Sequence, residues 1–253
     1  YDAHELFCEM KEVVTRPGIY LFWKRIERFA VPRFQQGYTV NEPIAREFEK
    51  MYRVKYEVIR NMPVLRPLTI PLKDERYILY QGAVNEGRSF ETLVPAMKAV
   101  AAPLIICGDG NFMQQALNLV KVHGLEKKVL FRGRVLPDEL RTITQQAWIG
   151  ITLFENTGQS NYYSLANRFF DYLHAGIPQL CVDYPVYREI NNKHRIAVLI
   201  DDLSPEAIAQ GLNSLLNDQP LYDSLQRNCL EAREVFNWQE EEKTLLAFYA
   251  NII

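Results

Sequence analysis

Short apolar runs alternate with stretches of helical periodicity along most of this chain. Each run has three to five residues, too few for a helix, and lacks the polar alternation of a strand that faces water. The repeated order of strand, helix and strand predicts βαβ units and a parallel sheet. Strands are predicted at residues 77–80, 104–107, 129–131, 149–153, 180–182 and 197–200, and helices between them at 91–100, 114–122 and 138–146.

The same patterns divide the chain into four predicted parts. Residues 1–61 hold helical segments and two short strands, too few for a closed sheet of their own, and Asn41 and Pro43 open one of the helices. Residues 62–76 contain three prolines and are predicted to be a linker. Residues 77–236 form the complete parallel-sheet domain, in which Ser204 and Pro205 begin a helix. Residues 237–253 form a terminal helix.

Composition narrows the class of protein. Of 253 residues, 48% are apolar and 24% charged, as in ordinary globular proteins. With a net charge of -2, the chain lacks the excess of basic residues that nucleic-acid-binding proteins carry, so no nucleic-acid partner is expected. The four cysteines form no CxxC pair, which favours reduced thiols and a cytoplasmic location. No membrane span or export leader is visible, and the chain opens at Tyr1 without a methionine, so we expect its natural N-terminus to be missing.

A glycine-containing loop follows the first predicted strand of the large domain. It runs from Gly82 to Arg88 and leads into a helix near Ser89. In a doubly wound sheet, ligands lie outside the carboxyl ends of the strands, where loop amides and a helix start favour phosphate. Arg88 could add a bidentate charge, although an ordinary turn with a solvated arginine fits equally well. The loop is neither a Walker loop nor GxGxxG, which argues against nucleotide hydrolysis and dinucleotide binding.

The densest polar segment lies between residues 155 and 178. A loop of hydroxyl and amide side chains precedes a helix whose first turn carries Asn167 and Arg168, with Asp171 one turn further. Helix-start amides with Arg168 suit phosphates, and a deeper carboxylate suits sugar hydroxyls. In the alternative interpretation, Ser164 is a helix N-cap and Arg168 and Asp171 lie on a solvated face.

Residues 77–249 resemble the C-terminal half of the retaining GT-B glycosyltransferases of family 4. The motifs of that family appear in order, with Gly82 and Arg88 in its first loop, Gly108-Asp109-Gly110 in its second, Phe131 and Gly133 in the following strand, and Asp171 before Ala175-Gly176-Ile177-Pro178. The resemblance implies an α/β fold of the GT-B type: one complete Rossmann-like parallel-sheet domain and part of a second. In that architecture, the terminal helix 237–253 crosses back toward the N-terminal, acceptor-binding domain, of which residues 1–61 are a remnant.

The resemblance also implies roles for particular residues. Asp171 would hold the ribose of a nucleotide-sugar donor, and His4, in a segment similar to the D-x-H-E motif of the family, would be catalytic. Two positions depart from the family pattern: Ala83 replaces a basic residue, and Tyr163 replaces the first Glu of a Glu-x7-Glu pair. Loop amides are expected to take over the duty of that carboxylate. The remaining roles are donor diphosphate binding by Gly82, Arg88, Asn167 and Arg168, base binding by Arg134 and Val135, and a donor-sugar loop of Tyr162, Tyr163, Ser164 and Leu165.

The implied activity is transfer of a hexose from a nucleotide-diphosphate donor to a glycan or lipid-linked acceptor, with retention at the anomeric carbon. The pattern from Ser164 to Tyr172 is similar to a variant of bacterial surface-polysaccharide enzymes, which indicates a role in cell-envelope synthesis. No metal and no cofactor are expected, since no paired ligand motif is present. Two alternatives stay open: a sugar-nucleotide epimerase of the same architecture, and a nucleotide-sugar-binding fragment without activity.

Residues 19–34 interleave aromatic and basic side chains. In the family that the chain resembles, such a region can rest on anionic lipid, here the inner membrane, or cover a lipid-linked acceptor. Peripheral membrane contact is therefore one interpretation, and core packing with a solvated basic face is the other. The basic residues are Lys24, Arg25, Arg28 and Arg33.

Overall fold

A computed structural model describes residues 1–73 and 75–252. The first part of the chain forms a small parallel sheet with helices around it. Its strands, paired in this order, are β1 (Asp2–Ala3), β2 (Tyr38–Thr39) and β3 (Glu57–Val58). Its helices are α1 (Lys11–Val14), α2 (Pro17–Ala30) and α3 (Glu42–Tyr52), with 3-10 turns at Phe7–Glu9 and Val31–Arg33.

Helix α3 shows how local sequence sets the elements of this first unit. The Oδ1 of Asn41 accepts a hydrogen bond of 3.0 Å from the backbone N–H of Ile44, and Pro43 occupies the first turn. The helix ends at Arg53, which is left-handed with φ 57°. Its apolar side, including Ile44 and Phe48, packs into a buried cluster with Leu6. The predicted helix start is thereby confirmed.

The second part of the chain forms a six-stranded sheet in which every pairing is parallel. Its order is β6-β5-β4-β7-β8-β9, the arrangement of a Rossmann-like fold, and it confirms the predicted α/β architecture. The order reverses between β4 and β7, and ligands bind above such a switch point. The strands are β4 (Ile78–Gln81), β5 (Leu104–Cys107), β6 (Val129–Gly133), β7 (Ile149–Thr152), β8 (Gln179–Val182) and β9 (Ala197–Ile200).

Helices cover both faces of this sheet, as the unbroken apolar strands require. The four cysteines are buried and free, as expected for reduced thiols. The helices are α4 (Phe90–Ala96), α5 (Met113–Val122), α6 (Pro137–Gln146), α7 (Gln159–Tyr162), α8 (Asn167–His174), α9 (Pro185–His194), α10 (Pro205–Asn217), α11 (Gln219–Ala232) and α12 (Trp238–Ala250).

Two sequence-based details differ from the structure. The helix predicted at 91–100 ends as α4 at Ala96 and is followed by a 3-10 turn at Met97–Ala99; Pro95 lies in its last turn, where it leaves the carbonyl of Glu91 without an α-helical donor. Ser164 is not an N-cap: α8 starts three residues later, and the Ser164 hydroxyl donates to the carbonyl of Asn161 at 2.8 Å. The predicted cap at Ser204 is confirmed, since its Oγ accepts from the N–H of Ala207 at 3.3 Å.

The last helix lies against the first unit. Arg60 and Glu241 form an ion pair at 3.1 Å, and the rings of Tyr38 and Phe248 meet edge to face at 5.3 Å. The N–H of Trp238 donates to the carbonyl of Pro63 in the connecting segment. The division into 1–61, 62–76, 77–236 and 237–253 stays a prediction. Among the described residues, no helix combines the length and the apolar character that crossing a bilayer requires.

Candidate functional site

Glycines bring the carboxyl ends of β4, β5 and β6 into close contact. The N–H of Gly82 donates to the carbonyl of Cys107 at 2.9 Å, and the N–H of Gly108 donates to that of Gly133 at 2.7 Å. A Cβ on Gly108 would overlap the carbonyl oxygen of Gly82, so no side chain fits there. The two loops therefore form a tight backbone floor beside the switch point.

Two arginines converge on one aromatic ring above this floor. The guanidinium carbons of Arg88 and Arg168 each lie 4.6 Å from the ring centroid of Phe154, and that of Arg168 is 4.8 Å from the ring of Tyr80. Arg168 is only 8% exposed. A Cβ on Gly82 would lie 3.1 Å from Nη1 of Arg168, so this glycine keeps the guanidinium close to the backbone.

Neither guanidinium is neutralised within the described part of the chain. No carboxylate in residues 1–73 and 75–252 lies within ion-pair distance of Arg88 or Arg168, and the Nε and Nη2 atoms of Arg168 are buried without a hydrogen-bond partner among these residues. Burial, followed by the charge of Arg168, lowers the pKa of Arg88. A buried cation beside a half-buried one, without a counter-charge, is costly, and a bound anion would relieve that cost.

The backbone is strained next to Arg88. Ser89, which starts α4, is left-handed with φ 60°, a conformation that costs about 1–3 kcal/mol in a residue with a side chain. Such strain persists where the surrounding structure fixes it, and it is common at ligand sites.

Asp171 on α8 is held by a short hydrogen-bonded chain. Its Oδ2 accepts from Nε2 of Gln81 at 2.8 Å, and Oε1 of Gln81 accepts from the hydroxyl of Thr144 at 2.7 Å. Burial raises the pKa of Asp171 to about 6, while the bond from Gln81 and the charge of Arg168 act in the opposite direction. The carboxylate is thus fixed in direction, and its pKa lies above that of an ordinary aspartate.

Asp171 and Gln81 line a cavity of about 320 Å³ between α6, α8 and residues 63–68. Pro137 and Leu140 supply apolar wall, and Arg233, 8% exposed, also lines the cavity. An apolar slot with a few oriented polar groups has the character of a small-molecule site.

Arg134 and Val135, the residues predicted to meet a base, do not line this cavity. Arg134 is exposed and lies 3.6 Å from Asp109, and Val135 packs against a small core cluster with Leu79. Sequence reasoning did not single out Gln81 or Thr144. The signal for Gln81 was available, because a polar residue that ends a fully apolar strand needs a partner inside the protein.

The segment from Gly158 to Asn167 follows β7, contains α7 and leads into α8. Tyr162 packs against the core of the large sheet, with its ring 5.0 Å from that of Tyr184, and Leu165 also contacts this core. The N–H of Ala166 donates to the hydroxyl of the buried Tyr187 at 3.0 Å. Asn167, exposed, opens α8, whose first amides lack intrahelical partners and can meet an anion.

The structure places His4 in the first unit, apart from these residues. Its Nε2 lies 3.0 Å from Oδ2 of Asp2, and its Nδ1 lies 3.1 Å from the side-chain amide of Asn61. None of its contacts joins it to Arg88, Arg168 or Asp171, so its catalytic role stays a prediction.

Over residues 1–73 and 75–252, no group of three or more His, Cys, Asp and Glu side chains is placed to hold a metal ion. The site is therefore built from arginines, backbone amides and one oriented carboxylate.

Comparison with known proteins identifies the family. The model of Glycosyl transferases group 1 matches residues 68–231. The chain belongs to this family. A curated relative, the uncharacterized glycosyltransferase MJ1607 of Methanocaldococcus jannaschii, is 24% identical over 183 residues, covering 70% of this chain and 45% of that protein.

Solved GT-B glycosyltransferases have the same fold as this group 1 chain. HepE of Anabaena, in complex with UDP and glucose, gives a TM-score of 0.76 at 13% identity over 90% of this chain and 66% of HepE. TarM of S. aureus gives 0.71 at 12% identity, over 88% of this chain and 46% of TarM. Sucrose-phosphate synthase of Thermosynechococcus elongatus gives a TM-score of 0.73 at 17% identity, over 86% of this chain and 58% of the synthase. The chain thus spans about half to two thirds of the relatives that it matches.

Proposed function

We propose that the chain binds a nucleotide-sugar donor at the carboxyl edge of its six-stranded sheet. The observation that carries the proposal is the pair of the half-buried Arg88 and the buried Arg168, which meet at Phe154 without a carboxylate partner within the described residues. A diphosphate supplies the missing negative charge in a bidentate geometry. HepE and TarM, which share this fold, have been solved in complex with UDP, and this supports a nucleotide ligand.

In the reaction that we propose, the bond from the anomeric carbon of the sugar to the diphosphate breaks, and an acceptor hydroxyl takes the sugar on the same face. Negative charge grows on the departing diphosphate. Arg88, Arg168, the backbone at Gly82 and the amides from Asn167 stabilise that charge where it develops, so no metal and no cofactor is required. Removing these groups should therefore slow transfer more than it weakens donor binding.

The nucleoside part of the donor is assigned to the cavity beside Asp171. The oriented carboxylate accepts hydrogen bonds from the two ribose hydroxyls, and the apolar wall at Pro137 and Leu140 takes the base. Arg134 and Val135 follow β6 outside this cavity, so the contact that we propose between them and the base is to the edge of the base and through their backbone. Tyr162, Tyr163, Ser164 and Leu165 surround the sugar, and His4 faces it from the first unit.

The whole protein is proposed to be a retaining hexosyltransferase of glycosyltransferase family 4, with a glycan or lipid-linked acceptor in bacterial surface-polysaccharide synthesis. WaaG, a similar fold with a TM-score of 0.65, is described as a glycosyltransferase involved in lipopolysaccharide biosynthesis. The proposed location is the cytoplasm, with peripheral contact at the inner membrane.

Calorimetric titration with UDP-, GDP- and ADP-sugars tests the donor site. We expect one donor to bind, and its affinity to fall by about 10- to 100-fold in Arg88→Ala and in Arg168→Ala, as loss of a charge-assisted hydrogen bond implies. Arg227→Ala, an exposed arginine on α11, is the control and should bind like the wild type. Binding that survives both substitutions would remove the diphosphate assignment.

An epimerase of the same architecture is the second candidate, since it would use the same donor site. It needs its own acid and base near the sugar, and it turns over without an acceptor. Incubating the bound nucleotide sugar alone with the protein, and following the sugar by proton NMR, separates the two. Conversion to an epimer favours the epimerase, whereas a stable donor or slow release of sugar with its anomeric configuration retained favours the transferase.

A further inference from the structure

The proposed donor-sugar loop is held from two sides. The rings of Tyr162 and Tyr163 are 5.2 Å apart but belong to different cores. Tyr162 packs against the core of the large sheet, and Tyr163 packs against the core of the first unit. At the start of the loop, a Cβ on Gly158 would come within 2.9 Å of the carbonyl oxygen of Glu9, so the backbones of the two units approach closely.

A buried asparagine of the first unit completes this contact. Nδ2 of Asn41 donates a hydrogen bond of 2.7 Å to the carbonyl oxygen of Tyr163, 122 residues away. Asn41 is only 2% exposed, and its Oδ1 is already used as the N-cap of α3. Ser, Thr and Asp cap helices as well as Asn does, but only the amide of Asn offers a planar donor beside the capping oxygen. Capping alone therefore does not explain this residue.

The bond fixes a particular peptide of the loop. Because a peptide unit is planar, holding the carbonyl of Tyr163 also sets the direction of the N–H of Ser164, which donates to the carbonyl of Asn161 at 3.2 Å, and it limits the direction of the next amide, that of Leu165. The side chain of Tyr163 is turned into the first unit. The bond from Asn41 can therefore act on a sugar at this loop through the direction of the N–H of Leu165, since the amides of Ser164 and Ala166 donate within the protein.

We propose that Asn41 is a positioning residue for the donor sugar, acting through the carbonyl of Tyr163. This inference rests on the proposed donor site. It makes recognition of the sugar, but not of the nucleoside diphosphate, depend on a residue of the first unit. Arg88 and Arg168, which we propose to bind the diphosphate, have no contact with Asn41. Substitution of Asn41 should therefore weaken binding of the sugar but not of the nucleoside diphosphate.

The test is Asn41→Asp in the full chain. The aspartate keeps the capping oxygen and its shape, and it places an acceptor opposite the carbonyl of Tyr163. Calorimetry would measure two dissociation constants, for the best nucleotide sugar of the UDP, GDP and ADP panel and for its nucleoside diphosphate. We expect the dissociation constant of the nucleotide sugar to rise about tenfold, which is the effect of leaving one buried carbonyl without its hydrogen-bond donor. The dissociation constant of the nucleoside diphosphate should change less than twofold.

Asn237→Asp is the matched control. Asn237 is 1% exposed, caps α12 through Oδ1, and donates from Nδ2 to the carbonyls of Arg233 and Glu234. The Asn237→Asp variant loses hydrogen bonds of the same kind, but Asn237 does not contact the donor-sugar loop. Both dissociation constants should therefore stay within twofold of wild type. Asn41→Ser, which caps α3 with a hydroxyl too short to reach Tyr163, is the second variant in case the aspartate impairs folding, which circular dichroism would show.

The outcomes separate the two proposals. Selective weakening of nucleotide-sugar binding in either Asn41 variant supports the positioning role. Equal weakening of both ligands, or no weakening, overturns it and leaves the donor site standing. If the wild type binds neither ligand, the donor site and the positioning role are both overturned.

Discussion

The side-chain amide of Gln81 donates to Oδ2 of Asp171 at 2.8 Å, while its oxygen accepts from Thr144 at 2.7 Å. The amide nitrogen of Gln81 can only donate and its oxygen can only accept, so the carboxylate of Asp171 cannot rotate without breaking its bond to Gln81. The three residues come from β4, α6 and α8, which meet at the switch point. The fold therefore orients its candidate ribose-binding carboxylate before any ligand arrives.

The raised pKa of Asp171 predicts a pH-dependent stability. Because burial raises this pKa from 3.8 to about 6, the folded chain binds the proton more tightly than the unfolded chain does. The contribution of Asp171 to stability is therefore most favourable below about pH 4 and is lost as pH rises to about 6. Two pKa units correspond to about 3 kcal/mol, so we expect Asp171→Asn to melt like wild type at pH 4 and about 6–12 °C higher at pH 7.5, measured by scanning calorimetry without ligand.

Asp223→Asn is the control for this comparison, since Asp223 is exposed on α11. It should show no pH-dependent difference from wild type. An Asp171→Asn protein that melts below wild type at pH 7.5 would mean that the ionised carboxylate stabilises the fold, against the direction argued here.

The arginine pair predicts stabilisation by a simple anion. Inorganic pyrophosphate should raise the melting temperature of the wild type, because a ligand at 100 times its dissociation constant adds about 2.7 kcal/mol to the free energy of unfolding. Arg168→Met should abolish this shift and melt at or above the ligand-free wild type, since an apolar side chain replaces a buried, unneutralised charge. Arg227→Met should respond to pyrophosphate like the wild type, and equal shifts in all three proteins would indicate an anion effect unrelated to the site.

The close approach of Gly82 and Gly108 predicts an unusually costly glycine substitution. A Cβ at Gly108 would overlap the carbonyl oxygen of Gly82, whereas a Cβ at Gly124 meets nothing within 4 Å. Gly108→Ala should therefore lower the free energy of unfolding by more than about 4 kcal/mol or prevent folding. Gly124→Ala, left-handed at φ 65°, should cost only about 1–2 kcal/mol in the same urea titration. Similar costs at both positions would show that the loops can separate.

Periodicity was enough to predict the large sheet but not the contacts that complete the site. Six apolar runs and the loops after them follow from local pattern, since each depends on residues close in sequence. The bond of Gln81 to Asp171 spans 90 residues and that of Asn41 to Tyr163 spans 122, so neither has a local signal. Helical pattern also could not tell which basic residue of α2 is buried.

Lys24 is the buried basic residue of α2, so it does not belong to the basic surface that the sequence predicts for residues 19–34. It is 7% exposed, and its Nζ bonds to Glu9 at 2.9 Å and Glu27 at 3.4 Å. Arg25 and Arg28 remain exposed beside Phe22 and Phe29, which are 61% and 64% exposed. A membrane test must therefore change these arginines and leave Lys24 intact.

The exposed face of α2 predicts binding to anionic vesicles. Each surface arginine contributes about 1 kcal/mol near an anionic leaflet, so Arg25→Gln with Arg28→Gln should weaken binding to vesicles containing phosphatidylserine by about 30-fold in a co-sedimentation assay. The matched control changes Lys50 and Lys55 to Gln, since both are exposed near the end of α3. It should bind as the wild type does, and raising salt should weaken binding because the attraction is screened. Equal loss in both double variants would point to net charge alone, and unchanged binding in the arginine variant would end the case for membrane contact through α2.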